Sequence, residues 1–147
     1  MFEYKGQCDC GDINCRLTLP NTLSTFHPRQ CDCDYCKARN LSYLSDPEGK
    51  VVIIHKGEIS VEHQGSGQAN FLHCLSCKTL IAVTVETENG IKGAINSGVL
   101  ALANQLLTPL PVSPKLLSKD EKRERWQSLW LEVQLLNISA EEHETLK

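Results

Sequence analysis

Apolar and polar positions alternate at period two from Ile13 to Leu19, where Ile13, Cys15, Leu17 and Leu19 interleave with Asn14, Arg16 and Thr18. This predicts a half-buried strand, ended by Pro20-Asn21. An irregular link containing Pro28 leads to a cysteine-rich stretch from Arg29 to Arg39, and Ser45-Asp46-Pro47-Glu48-Gly49 has the composition of a turn. Val51 to His55 and Glu58 to Glu62 are β-rich runs separated by Lys56-Gly57, a pattern that predicts a hairpin. Gly65-Ser66-Gly67 then punctuates the chain before a strand from Ala69 to His73. Leu80 to Glu86 and Ile91 to Asn96 flank Asn89-Gly90, a strong two-residue hairpin signal, so the middle of the chain reads as a β-meander.

From Val99 the period becomes helical for about two turns, through Leu100, Ala103, Leu106 and Leu107. Pro109, Pro111 and Pro114 impose an extended connector beyond it. The last element predicted is a helix opened by a capping box, Ser118 with Glu121 three residues on. Trp126, Leu129, Trp130, Val133 and Leu136 would share one of its faces. That face either packs onto the sheet or lies in a homodimer interface, since aromatic side chains give much contact area per residue. The expected fold class is mainly β with a C-terminal α-helix. Residues 1–112 are expected to form the β domain, and 113–147 a helical extension packed on it.

A chain of 147 residues suits one hydrophobic core. No apolar run approaches the ~18 residues of a membrane helix, and Met1 to Gly11 contains no apolar signal segment. The expectation is a cytoplasmic, reducing location with no membrane partner. With 15 Lys+Arg against 18 Asp+Glu and a net charge of −3, the chain lacks the basic surface that draws nucleic acid. Its cationic cluster, Lys119, Lys122, Arg123 and Arg125, is interleaved with Asp120, Glu121 and Glu124, and reads as a solvated helix face.

Seven of the eight cysteines fall in short-spaced groups: Cys8-x-Cys10, Cys31-x-Cys33-x-x-Cys36 and Cys74-x-x-Cys77. This is metal-ligand spacing, because cysteines paired on a tight turn place two sulfurs on one ion at little entropic cost. Disulfides fit poorly, since such close pairs cross-link almost nothing and a reducing compartment disfavours them. Two pairs, Cys8, Cys10, Cys74 and Cys77, make one closed four-thiolate site of structural character, and iron is the alternative occupant to zinc. Cys31, Cys33 and Cys36 leave a second ion with one open position, the usual arrangement of a catalytic zinc. Three thiolates make that ion a weak Lewis acid, better suited to capturing a substrate thiol as thiolate than to activating water. A fourth protein ligand among His27, His55, His63, His73 or Asp32 would instead close the site. Cys15 points with the apolar set of its strand and reads as a buried structural thiol.

Gly6-Gln7-Cys8-Asp9-Cys10-Gly11, Cys31-Asp32-Cys33-Asp34-Tyr35-Cys36-Lys37, Phe71-Leu72-His73-Cys74-Leu75-Ser76-Cys77 and Gly93-Ala94-Ile95-Asn96 together resemble the glutathione-dependent formaldehyde-activating enzyme family, which includes centromere protein V. The resemblance covers roughly residues 4 to 100. It implies an Mss4-like fold of twisted β-sheets, a structural Zn2+ on Cys8, Cys10, Cys74 and Cys77, and a more labile Zn2+ on Cys31, Cys33 and Cys36. The implied activity is that of a carbon-sulfur lyase joining a thiol, glutathione, to an aldehyde, formaldehyde. Arg29, Lys37 and Arg39 flank the cysteine triple and would meet the carboxylates of the tripeptide. The alternative is a non-catalytic zinc-binding module that engages a protein partner; a third use of the triple is metal storage or redox sensing. The sequence departs from the family pattern in three places: Asp32 where histidine is common, Asn40-Leu41 where small residues are usual, and Lys78 where glycine is usual.

Overall fold

A computed structural model describes residues 1–32, 34–56, 58–63, 68–112 and 117–138. Cys33, Gly57, Gly65-Ser66-Gly67 and Pro114, each of which carries part of the sequence reading, lie outside the described residues. The chain is mainly β, as its alternating runs predict. The strands in chain order are β1 (Phe2–Gln7), β2 (Ile13–Leu19), β3 (Arg29–Cys31), β4 (Tyr43–Leu44), β5 (Lys50–His55), β6 (Ile59–Glu62), β7 (Asn70–Cys74), β8 (Leu80–Thr87), β9 (Gly90–Asn96), β10 (Leu110–Val112) and β11 (Leu131–Asn137). Among the described residues two α-helices accompany them, α1 (Asp34–Ala38) and α2 (Lys119–Leu129).

The sheet forks at β9. One edge of β9 pairs antiparallel with β8 along its length, from Ala82↔Ile95 to Thr87↔Gly90. Its other edge is shared: Lys92 and Gly93 pair with Glu132 and Leu131 of β11, whereas Ile95 and Asn96 pair with Leu44 and Tyr43 of β4. Beyond β8 lie β7 and β6; beyond β11 lie β5, β2 and β1; beyond β4 lie β3 and β10. The predicted meander is present as β6-β7-β8-β9, and the turn before Gly90 (φ +100°) closes the β8–β9 hairpin.

Three sequence expectations are corrected. β5 and β6 do not form a hairpin: β5 pairs antiparallel with β2 and parallel with β11, and β6 pairs with β7. Both edges of β5 are therefore taken by partners distant in sequence, which a local pattern cannot reveal. The C-terminal helix also ends earlier than expected. The capping box at Ser118 and Glu121 is formed, but α2 stops at Leu129, and Val133 and Leu136 belong to β11. The same residues carry a period-two signal, with Leu131 and Val133 buried, and pairing between β5 and β9 satisfies their backbone better than another helical turn would. The helical turns expected from Val99 are also not formed: one 3-10 turn, Ser97–Val99, ends there and another, Ala103–Gln105, follows, and Pro109-Leu110-Pro111 runs extended into β10, parallel to β3.

The buried side of β2 (Ile13, Cys15, Leu17, Leu19) meets Val51 and Ile53 of β5, Leu131 and Val133 of β11 and Ile95 of β9 in the main core. A smaller second core contains Cys36, Ala69, Phe71, Leu80 and Val83, with Cys31, Leu41, Tyr43, Trp126 and Trp130 packed against it. The tryptophan stripe of α2 thus packs inward, its rings stacked at 4.9 Å and 16°. Among the described residues no helix is long and apolar enough to cross a membrane.

Candidate metal centre

Cys8 and Cys10 lie in the loop joining β1 to β2; Cys74 ends β7, and Cys77 lies in the loop joining β7 to β8. The two loops are built alike. In one, Cys8 N–H donates to the Ile13 carbonyl at 3.0 Å; in the other, Cys74 N–H donates to the Thr79 carbonyl at 2.9 Å. Each must turn sharply within that span, and each does so with a left-handed residue, Gly11 at φ +81° and Lys78 at φ +68°. Glycine adopts that conformation without steric cost, whereas lysine does not. Lys78 therefore stands at a position whose backbone calls for glycine. Asn40, which follows α1, also has positive φ, +52°, which asparagine tolerates better.

The hairpin ends bring the four thiols together, every sulfur within 4.8 Å of every other. Cys8 Sγ lies 3.7 Å from Cys10 Sγ, and Cys10 Sγ lies 3.6 Å from Cys74 Sγ. A tetrahedron of thiolates about 2.3 Å from a zinc ion has edges of about 3.8 Å, so the donor set fits such an ion. The separations are far longer than the ~2.05 Å of a disulfide, and none of these four cysteines is cross-linked. Cys8 and Cys74 are buried and Cys10 is exposed, so the cluster lies at the edge of the main core with one flank toward solvent.

Neighbouring groups act on these thiols in opposite directions. Ile13 N–H donates to Cys8 Sγ at 3.3 Å, and Cys77 Sγ lies 3.1 Å from Thr79 Oγ1. Asp9 N–H donates to the same Thr79 oxygen at 3.2 Å, tying the two loops directly. Desolvation alone would raise the Cys77 thiol, but hydrogen bonds from Thr79, and after them from the Cys10 backbone and the Cys74 thiol, together outweigh it and bring it down to about 6. At Cys10 a backbone hydrogen bond at Asp12 pulls downward, yet desolvation and the crowding of Cys74, Cys77 and Cys8 push the thiol up to about 12. Four thiols without a cation cannot all ionise at such distances, so a cation of two positive charges is the natural complement.

The second cysteine group is placed elsewhere. Cys31 is half-buried at the end of β3 and Cys36 is buried in α1, its sulfur 3.1 Å from the Tyr43 hydroxyl. Cys33 lies outside the described residues. Arg29 is half-buried at the start of β3, where its guanidinium donates to Ser45 Oγ at 3.0 Å; Lys37 and Arg39 are exposed. Among the proposed fourth ligands, His27 Nδ1 bonds the Thr108 carbonyl, His63 Nε2 bonds Asn70 Oδ1, and His73 Nδ1 bonds the Phe71 carbonyl. Among the described residues the four-cysteine cluster is the one grouping of three or more such ligand atoms. Cys15 is 2% exposed and its thiol is pushed up to about 12 by burial, as suits an inert structural thiol. Thr79, Tyr43 and the α2 tryptophans are contributors that spacing alone gave no means of finding.

No protein-family model matches the chain, and no curated protein does. The fold is similar to the crystal structure of a Rhodobacter sphaeroides protein from a structural-genomics programme. The two share 18% identity at a TM-score of 0.52, over 74% of this chain and 99% of that one. At that identity the similarity speaks for the fold alone. Fold and site together define a mainly β protein with a four-cysteine cluster able to hold a metal ion.

Proposed function

We propose that this chain is a zinc-dependent carbon-sulfur lyase-type enzyme of the glutathione-dependent formaldehyde-activating kind, condensing a thiol with an aldehyde. The observation that supports this reading best is the separation of the cysteines between two cores. Cys8 and Cys74 belong to the main core with Cys77 packed on it, whereas Cys36 belongs to the second core with Cys31 packed on it. A closed structural site and an independent, incomplete site are what the enzyme reading requires. Cys8, Cys10, Cys74 and Cys77 would hold the structural zinc, and Cys31, Cys33 and Cys36 the labile one. Zinc at the second group would supply an open position for a substrate thiol held as thiolate.

The reaction is an addition without redox change: the sulfur of the thiol bonds the aldehyde carbon, and the thiol's proton ends on the carbonyl oxygen. The chain's part is to fix the sulfur against the carbon, which replaces a bimolecular encounter with a positioned one. Arg29, half-buried beside the triple, holds a charged end of the thiol; Lys37 and Arg39, exposed on and just after α1, steer it. The alternative, a zinc-binding module for a protein partner, draws on the exposed Leu102, Leu107 and Leu110, which leave apolar surface beside β10.

The deciding measurement is zinc per chain under reducing conditions in the wild type and in Cys33→Ser, followed by hemithioacetal formation from glutathione and formaldehyde. About two zinc falling to one, with saturable acceleration over the spontaneous reaction, upholds the enzyme. About one zinc in both proteins and no acceleration overturns it in favour of the binding module.

A further inference from the structure

The two cysteine loops share their backbone closure, Cys8 N–H to the Ile13 carbonyl and Cys74 N–H to the Thr79 carbonyl, which makes Ile13 and Thr79 equivalent positions. Their sulfurs are served differently. In the first loop the Ile13 N–H donates to Cys8 Sγ at 3.3 Å, while the Ile13 side chain is buried in the main core. In the second loop a side chain reaches the sulfur, with Thr79 Oγ1 lying 3.1 Å from Cys77 Sγ. The same oxygen accepts the Asp9 N–H of the first loop at 3.2 Å. One hydroxyl therefore meets both the opposite loop and one of the four sulfurs.

The direction of these bonds follows from counting protons. A hydroxyl has one proton to give and two lone pairs to offer. Asp9 N–H can only donate, so it takes a lone pair of Thr79 Oγ1. A thiolate bound to a metal carries no proton, so in the loaded centre the hydroxyl donates to Cys77 Sγ. Four thiolates carry more negative charge than a divalent ion cancels, and donors to the sulfurs orient them and offset the excess. Cys77 has particular need of such a donor: Cys74 ends β7, whereas Cys77 lies in the turn before β8. The hydroxyl itself is well held. Lys78, at φ +68°, turns the chain so that Cys74 N–H closes on the Thr79 carbonyl, and branching at Cβ restricts the Thr79 side chain to few rotamers.

From this geometry we infer that Thr79 is the positioning residue of the four-cysteine centre: its hydroxyl, fixed on one side by Asp9 N–H, holds Cys77 Sγ as a metal ligand and so couples metal binding to the docking of the β1–β2 loop on the β7–β8 loop. The inference depends on the four-cysteine centre alone and stands or falls apart from the enzyme reading. Removing the hydroxyl at constant shape weakens the metal and releases the Asp9 amide together, although Thr79 is not itself a ligand.

The test compares the full chain with Thr79→Val, which keeps the shape and loses the hydroxyl, and Thr79→Ser, which restores it. Each is made with and without Cys33→Ser, so that zinc held by the second cysteine group is told apart. Zinc affinity is read by chelator competition under reducing conditions, ligation by the sulfur-to-metal band of bound cobalt(II), and loop docking by hydrogen exchange at the Asp9 amide. We expect Thr79→Val to weaken zinc about tenfold or more and to speed exchange of the Asp9 amide in the zinc-loaded chain, with Thr79→Ser within about threefold of wild type. Thermal unfolding with and without zinc separates positioning from packing, because the loss in Thr79→Val must be larger with zinc than without. Equal losses in the two conditions, with zinc affinity and the cobalt band unchanged, make Thr79 a packing residue and overturn the inference. So does a Thr79→Ser chain as weak in zinc as Thr79→Val, or a wild type that binds no zinc at these cysteines. Weakened zinc with an unaltered Asp9 amide overturns the coupling of the loops.

Discussion

Replacing Lys78 by glycine should stabilise the protein, and the gain can be worked from the backbone. Lys78 sits at φ +68°, where its Cβ crowds the following carbonyl at a cost of about 1–2 kcal/mol. Glycine removes that cost but loosens the unfolded chain, which gives back about 0.4–1 kcal/mol. The expected net effect is about 0.5–1 kcal/mol of stabilisation, or a rise in unfolding midpoint of about 2–3 °C for a chain of this size. Lys78 N–H donates to the Cys74 carbonyl at 2.8 Å, and glycine keeps that bond. The lysine charge beside the thiols is a separate effect, which Lys78→Ala isolates because alanine loses the charge yet retains the Cβ. Thermal unfolding in excess zinc should therefore rank glycine above alanine by about 1 kcal/mol. Equal midpoints for the two variants would show that the left-handed backbone stores no strain and would refute the account of this departure.

Gly93→Ala should destabilise by about 1–3 kcal/mol in chemical denaturation, because a Cβ there would lie 2.7 Å from the Val83 carbonyl oxygen and 2.9 Å from Val133 Cγ2, at the fork of the sheet; an unchanged midpoint would mean that β11 is not seated against Gly93. Zinc affinity, measured by chelator competition between pH 6 and 8, should fall by roughly tenfold or more for each unit the pH is lowered. The sign follows from Cys10, whose thiol at about 12 is protonated throughout this range without metal, so that binding must displace its proton; a flat profile would count against thiolate ligation.

How far the fold could be read depended on the distance over which each signal acts. β2 was legible because Ile13, Cys15, Leu17 and Leu19 alternate and all four are buried. β8 and β9 were legible because Asn89-Gly90 joins neighbours in sequence. β1 was not, since only Gly6 of its six residues is buried and its strand character comes from pairing with β2 along its whole length. At the C-terminus Trp126, Trp130 and Val133 satisfy a helical period while Leu131 and Val133 satisfy a strand period. Pairing of β11 with β5, some eighty residues earlier, decided between them. The likeness between the loops at Cys8 and Cys74 was visible in cysteine spacing, but the shared i to i+5 hydrogen bond and the role of Thr79 needed coordinates.

The same distinction bears on what each cysteine group does. Short spacing identifies a pair of ligands within one loop; it does not say which loops meet, and here the meeting is enforced by hairpins whose strands are fixed by the main core. Cys8, Cys10, Cys74 and Cys77 inherit the rigidity of β1-β2 and β7-β8, which suits an ion that contributes to folding. Cys31 and Cys36 stand on a three-residue strand and a five-residue helix, elements too short to be held by their own hydrogen bonds. Their positions depend on the second core, and Trp126 of α2 and Trp130, which caps it, pack against that core. A change in α2 can therefore alter the second cysteine group while leaving the four-cysteine cluster untouched, which makes the C-terminal helix the part of the chain best placed to set the chemistry of the second group.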